Sequence, residues 1–327
     1  MKIRLPHVLL ASFLVWVGVC SAAEELNLYS HRHYEVDKQI FADFTAATGI
    51  KVNVVQASAD QLIERLKAEG NSSPADLLLT VDAGRLQRAK DSGLLQPVQS
   101  PAIDAAVPAD LRDTDRNWHA VTVRARVIIY SKTRVKPSEL STYEALADPK
   151  WKGRLLVTSS SSVYNQSLLA SLIEANGREA ATTWAQGITR NLARAPQGGD
   201  RAQAQAIAAG LADVALVNTY YIGVLRTSPD AKDREAGNAV EIFFPNQEGR
   251  GAHINVSGIG LTRSAKNKTQ AIRFIEYLLS PEVQARFSSA NHEYPVSLSP
   301  TASPVLTAFG PFKADRASLA KLGPRNS

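Results

Sequence analysis

Polar and apolar residues alternate with period two in ELNLYS, residues 25–30. That predicts a strand, because successive strand side chains point to opposite faces. The period then lengthens. In YEVDKQIFADFTAATG, residues 34–49, Val36, Ile40, Phe41 and Phe44 share one helical face and Gly49 supplies a C-terminal stop. IKVNVV (50–55) returns to strand character. SADQLIERLKAEG (58–70) is a second helix, with Ser58 and Gln61 at capping-box spacing, Leu62, Ile63 and Leu66 facing inward and Gly70 closing it. ADLLLTVD (75–82) is a third, apolar strand. Strands alternating with helices imply an α/β fold built on a mostly parallel sheet covered on both faces.

The same rhythm continues. VRARVIIYSK (123–132), GRLLVTSS (153–160), ADVALVN (212–218) and SGIGLTR (257–263) are predicted strands; YNQSLLASLIEANG (164–177) and RAQAQAIAAG (201–210) are predicted helices. NKTQAIRFIEYLLSPEVQARF (267–287) is helical with a stripe of Ile272, Ile275, Leu278 and Leu279, and Pro281 starts a new turn. From about Pro295 the chain turns Ser- and Pro-rich and the pattern fades.

The N-terminus narrows the compartment. Lys2 and Arg4 precede an apolar run from Val8 to Cys20, with Ser21, Ala22 and Ala23 after it, which is the pattern of a secretory leader (1–23) cleaved after Ala23. The run is short for a membrane span, and Val19 before Cys20 does not fit a lipoprotein signal. Cleavage leaves 304 of 327 residues and removes the only cysteine, so disulfides, thiolate metal sites and cysteine nucleophiles are excluded. Loss of Lys2 and Arg4 takes 37 basic side chains to 35 against 31 acidic ones, a net +4. This excess is spread along the chain with no basic run, and no nucleic-acid partner is expected.

In open α/β sheets, ligands sit beyond the carboxyl ends of strands. Three such places carry unusual side chains: His31, His33 and Tyr34 after the first strand; Ser161, Ser162 and Tyr164 after GRLLVTSS; Tyr220 and Tyr221 after ADVALVN. Four of the nine tyrosines therefore fall in these loops. If adjacent Tyr220 and Tyr221 serve one site, the chain must leave strand geometry where they stand.

Phenolate is a hard anionic donor. Ionising one phenol at pH 7 costs about 4 kcal/mol and three cost about 12 kcal/mol, which only a highly charged cation repays. Ferric iron fits: three phenolates match its charge and a neutral histidine adds a donor. Zinc prefers histidine, carboxylate or thiolate, and calcium or magnesium prefer carboxylates and carbonyls. Other readings of the same residues stay open. His31 and His33 can belong to a solvated loop. Arg124 and Arg126 alternate on one strand face, which suits either solvent or bidentate capture of an anion. The serines before Tyr164 form either a plain loop or an anion site at a helix start.

HRHY after the first strand, RARV in the central strand, YNQSLLASLI after the serine loop and NTYYIGVL after the later strand together resemble the periplasmic ferric-iron-binding proteins of ABC importers, the FbpA and FutA type. The similarity covers nearly the whole mature chain; HRHY, YNQS and NTYY are its discriminating parts. PADLLLTVDAGRL and AIRFIEYLLSPEVQARF are common to many solute-binding proteins. The resemblance implies a two-lobed, type II periplasmic binding protein with transferrin-like lobes, a hinge and an interlobe cleft. Lobe one would span 24–122 and 252–300, and lobe two 123–251 with 301–327. It also implies His33, Tyr34, Tyr164, Tyr220 and Tyr221 as iron ligands, and Arg124, Arg126 and Ser161 as the place of a synergistic carbonate. His31 has no counterpart role. The implied partners are an inner-membrane permease and its ATPase, the protein itself being a monomer without catalytic activity. The rival expectations are a same-fold carrier of ferrous iron, an organic anion or a polyamine, and an exported enzyme using Tyr164 or a histidine as base. A polyamine site would need acidic side chains, which the three loops lack.

Overall fold

The computed structural model describes residues 24–299, 303–315 and 319; the expected leader lies outside the described residues. Strand β1 (Glu25–Ser30), helix α1 (Glu35–Thr48), β2 (Lys51–Gln56) and α2 (Ala59–Glu69) follow the alternation read from the periodicity. The Ser58–Gln61 capping box forms, and Gly49 ends α1 at φ 75°, a left-handed conformation that glycine adopts without penalty. Next come β3 (Leu77–Thr80), α3 (Ala83–Asp91), short β4 (Leu95–Gln96), α4 (Pro101–Ala106) and long β5 (His119–Ser131).

The chain then builds β6 (Leu155–Leu156), α5 (Val163–Asn176), α6 (Arg178–Asn191), α7 (Asp200–Ala208), β7 (Val214–Asn218), α8 (Thr219–Thr227), α9 (Ala231–Ala239) and β8 (Val240–Phe243). It returns through β9 (Ala252–Thr262) to α10 (Lys268–Leu278) and α11 (Pro281–Ala290), and closes with α12 (Pro304–Ala308) and β10 (Ala314–Asp315). Pro281 opens α11 at its first turn, as expected of a residue that donates no N–H. Among the described residues no helix is long and apolar enough to cross a membrane.

The strands run in the order β2-β1-β3-β9-β5-β7-β6. β1 is parallel to β2 and β3, and β6 to β7, but β9 is antiparallel to β3 and β5, and β5 to β7. The sheet is therefore mixed rather than mostly parallel. The cause is connectivity: β5 carries the chain from the β1–β3 side of the sheet to the β6–β7 side and β9 brings it back, so the two oppose one another. β5 pairs with β9 through Ala125 and with β7 from Arg126 onward, so this single strand joins the two halves of the sheet. In its second half Val127 and Ile129 face one hydrophobic core while Ile128 and Tyr130 face another. With neighbours on both edges and cover on both faces, all of β5 is buried, and the solvated-face reading of Arg124 and Arg126 is overturned.

Candidate metal centre

Helices α1, α5 and α8 each start just past a strand, β1, β6 and β7 respectively. Tyr34 is the N-cap of α1, Tyr164 the second residue of α5, and Tyr220 and Tyr221 the second and third residues of α8. Helical side chains lean toward the N-terminus, so these rings reach back past the helix tips. The adjacency of Tyr220 and Tyr221 is thereby explained. Asn218 still has extended backbone (φ −87°, ψ 144°), Thr219 begins the helix, and both phenols fall in its first turn.

The structure brings the four phenols together. The Tyr34 hydroxyl donates to the Tyr220 oxygen at 3.1 Å, and the Tyr164 and Tyr220 oxygens lie 3.2 Å apart. The Tyr34 and Tyr220 rings meet edge to face at 5.9 Å, and those of Tyr220 and Tyr221 lie 4.1 Å apart. Tyr220 is 1% exposed, whereas Tyr34, Tyr164 and Tyr221 are half-buried. Burial first, then the Tyr164 phenol, raises the pKa values of Tyr34 and Tyr220 well above 10; burial and Tyr164 also raise that of Tyr221. Ionisation there needs a compensating positive charge.

Some of that charge is built in. The Arg32 guanidinium stands 4.7 Å from the centre of the Tyr34 ring, and those of Arg124 and Arg126 stand 5.9 and 6.0 Å from that of Tyr164. All three arginines are buried and paired. Glu293 bridges Arg32 (2.9 Å) and Arg124 (3.4 Å), Asp37 holds Arg32 at 2.8 Å, and Asp200 holds Arg126 at 2.7 Å. Burial alone would raise the Glu293 carboxyl, but Arg32 and Arg124 outweigh it and hold the pKa below the usual range. Arg126 also donates to Asn165 Oδ1 at 2.7 Å. Glu293, Asp200 and Asn165 were not singled out in the sequence, where each reads as an ordinary polar loop or cap residue.

The histidines and Ser161 lie outside the hydrogen-bonded phenol cluster, with His33 against the Tyr34 ring. His33 is exposed; its ring lies 5.2 Å from that of Tyr34, and its Nδ1 faces the His31 carbonyl at 3.5 Å. His31 is half-buried, and burial, then His33, lowers its pKa to about 4. Ser161 is exposed and hydrogen-bonds Ser159 at 2.8 Å. Among the described residues no group of three or more His, Cys, Asp or Glu side chains could hold a metal ion. The converging donors are phenols, which suit a hard, highly charged cation.

The sequence profile described as bacterial extracellular solute-binding protein matches residues 39–313. Iron uptake protein A1 of Synechocystis sp. is 53% identical over 301 residues, covering 92% of this chain and 84% of that protein. The structure of the Trichodesmium protein (IdiA, FutA) in complex with iron and citrate matches with a TM-score of 0.87 at 50% identity, over 92% of this chain and 96% of that one. The ferric binding protein from Campylobacter jejuni matches with a TM-score of 0.88 at 45% identity, over the same 92% and 96%.

Proposed function

The chain belongs to the bacterial extracellular solute-binding protein family, and within it we propose that it captures ferric iron in the interlobe cleft and hands it to an inner-membrane ABC permease driven by its ATPase. The observation that carries this reading is the convergence of Tyr34, Tyr164 and Tyr220, with the tilted Tyr221 ring packed against that of Tyr220, at the tips of three helices. The names of its relatives support it.

Tyr164, Tyr220 and Tyr221 come from one lobe and take the ion first. Tyr34 and His33 come from the other and complete the coordination when β5 and β9 flex; His33 reaches the metal by turning from its exposed position. The lobe boundaries at 122/123 and 251/252 belong to this proposal. So do the periplasmic location, the cleavage of the leader after Ala23 and the monomeric state. A synergistic carbonate at Arg124, Arg126 and Ser161 has less support than completion by protein donors, because both guanidiniums already hold protein acceptors and Ser161 turns to solvent. The phenols exchange protons for the cargo and take them back on release, with no chemical change to a substrate, so the role is that of a carrier.

The test is one equivalent of ferric salt added to the purified protein. A visible phenolate-to-iron charge-transfer band is expected, and Tyr220→Phe with Tyr221→Phe should remove most of the colour and most of the binding. A double variant coloured as strongly as wild type refutes the site.

A further inference from the structure

The phenols are not the only groups that join the lobes. Asp82 follows β3 in the first lobe and caps α3, its Oδ1 accepting the Arg85 N–H at 2.8 Å. Its Oδ2 accepts the Ser167 hydroxyl and, at 2.7 Å, the Asn255 amide, which also donates to Ser167 Oγ at 2.9 Å. The Asn255 carbonyl accepts the N–H groups of Ala83 (3.1 Å) and Val256 (2.8 Å), which fixes the orientation of the amide. Asp82 and Ser167 are fully buried and Asn255 is 4% exposed. Ser167 belongs to the other lobe. It lies on α5, whose Leu168 and Leu172 pack with Ile128 and Trp151, and it shares a helical face with Tyr164 three residues earlier. Beside it, Arg85 of α3 donates to Gln166 of α5 at 2.7 Å.

We propose that Asp82 and Asn255 grip Ser167 as a clasp that holds the lobes closed, positions Tyr164 against the Tyr34 side of the cleft and slows the departure of the cargo. The clasp detaches cleanly. When α5 withdraws, Asp82 and Asn255 remain bonded to each other and to the start of α3, so opening strands no buried polar group. Only the bonds to Ser167 and Gln166 break, and water replaces them. None of these atoms touches the phenol oxygens, so the clasp acts on the closed population while leaving the ligand set unchanged.

The inference deepens the ferric reading and rests on it for a release assay. Ser167→Ala should pass iron to an excess of a competing chelator at least about tenfold faster than wild type, the scale of one hydrogen bond to a carboxylate. The position and intensity of its charge-transfer band should not change. Ser167→Thr, which keeps the hydroxyl, should restore slow release. Small-angle scattering of the iron-free proteins gives a readout independent of cargo: Ser167→Ala should have the larger radius of gyration. Equal release rates, or fast release that Ser167→Thr fails to restore, overturns the clasp. If wild type takes up no iron, the ferric reading fails and scattering alone decides: a larger Ser167→Ala radius supports the clasp and equal radii overturn it.

Discussion

Ferric binding should release about one proton for each ligating phenol, and the count can be worked from the site. Tyr34 donates to Tyr220, and Tyr164 lies within hydrogen-bonding distance of the same oxygen, so the two contacts need at least two protons among the three phenols. At pH 7 an ordinary phenol, with a pKa near 10, costs about 4 kcal/mol to ionise; Tyr34, Tyr220 and Tyr221 are held higher still by burial. Burial therefore favours the neutral form of Tyr34, Tyr220 and Tyr221 until a cation displaces their protons. Four displaced protons make the apparent affinity rise about 10⁴-fold per pH unit and fall by the same factor on acidification. The sign follows from the raised pKa values: the metal competes with tightly held protons, and lower pH favours the protons.

The assay is calorimetry in buffers of differing ionisation enthalpy, between pH 6 and 8, with iron supplied as a chelate whose own proton uptake is subtracted. Wild type should release about four protons and Tyr34→Phe about three. Release of one proton or fewer, or a count unchanged by Tyr→Phe substitutions, would refute phenolate ligation.

Two further predictions concern the support of the site. Glu293→Ala should destabilise the iron-free protein by about 3–5 kcal/mol at pH 7 in urea unfolding, since it leaves the buried Arg124 guanidinium without a carboxylate and Arg32 with Asp37 alone. Because the folded carboxyl is held low, its contribution is complete above the unfolded pKa near 4.3 and fades as pH falls through the folded value, so wild-type and variant curves should converge in acid; a loss below about 1 kcal/mol at pH 7 would contradict the bridging role. His33→Ala with Tyr34→Phe should leave a coloured but weaker iron complex whose radius of gyration contracts less on loading than that of wild type; full contraction would show that these two residues do not drive closure.

Much of the first lobe could be read from periodicity because its helices and strands bury one face each: Ile40, Phe41 and Phe44 on α1, and Leu62, Ile63 and Leu66 on α2, are all buried. The direction of β9 could not, since a period-two pattern carries no polarity and only the return of the chain between lobes fixes it. The tyrosines stood out because each lies beyond the end of a strand, within eight residues of it. Their supporting carboxylates did not: Arg32 and Glu293 are 261 residues apart in sequence, and a single acidic residue in NHEY or GGD gives no sign of which guanidinium it will meet. RARV stayed open between solvent and an anion for the same reason, because two arginines alternating with apolar residues do not show that their distant partners bury them.

The balance of charges at the site explains how such a cleft can discriminate among cations. Three helix N-termini converge on the phenols, each contributing about 0.3–1 kcal/mol toward an anion in its first turn, and three guanidiniums lie over the rings but are matched by Glu293, Asp37 and Asp200. Together these helps amount to a few kcal/mol, against at least about 16 kcal/mol to ionise four phenols at pH 7. The fold therefore lowers the cost without covering it. A cation must supply the remainder, and a trivalent ion supplies more than a divalent ion of similar size at the same distance because the attraction scales with charge. Had Glu293 been absent, the Arg124 guanidinium would lose its carboxylate and would favour a phenolate without any metal and repel the arriving cation. With it in place burial keeps Tyr34, Tyr220 and Tyr221 on the protonated side, and a cation that binds there has to be charged highly enough to displace their protons.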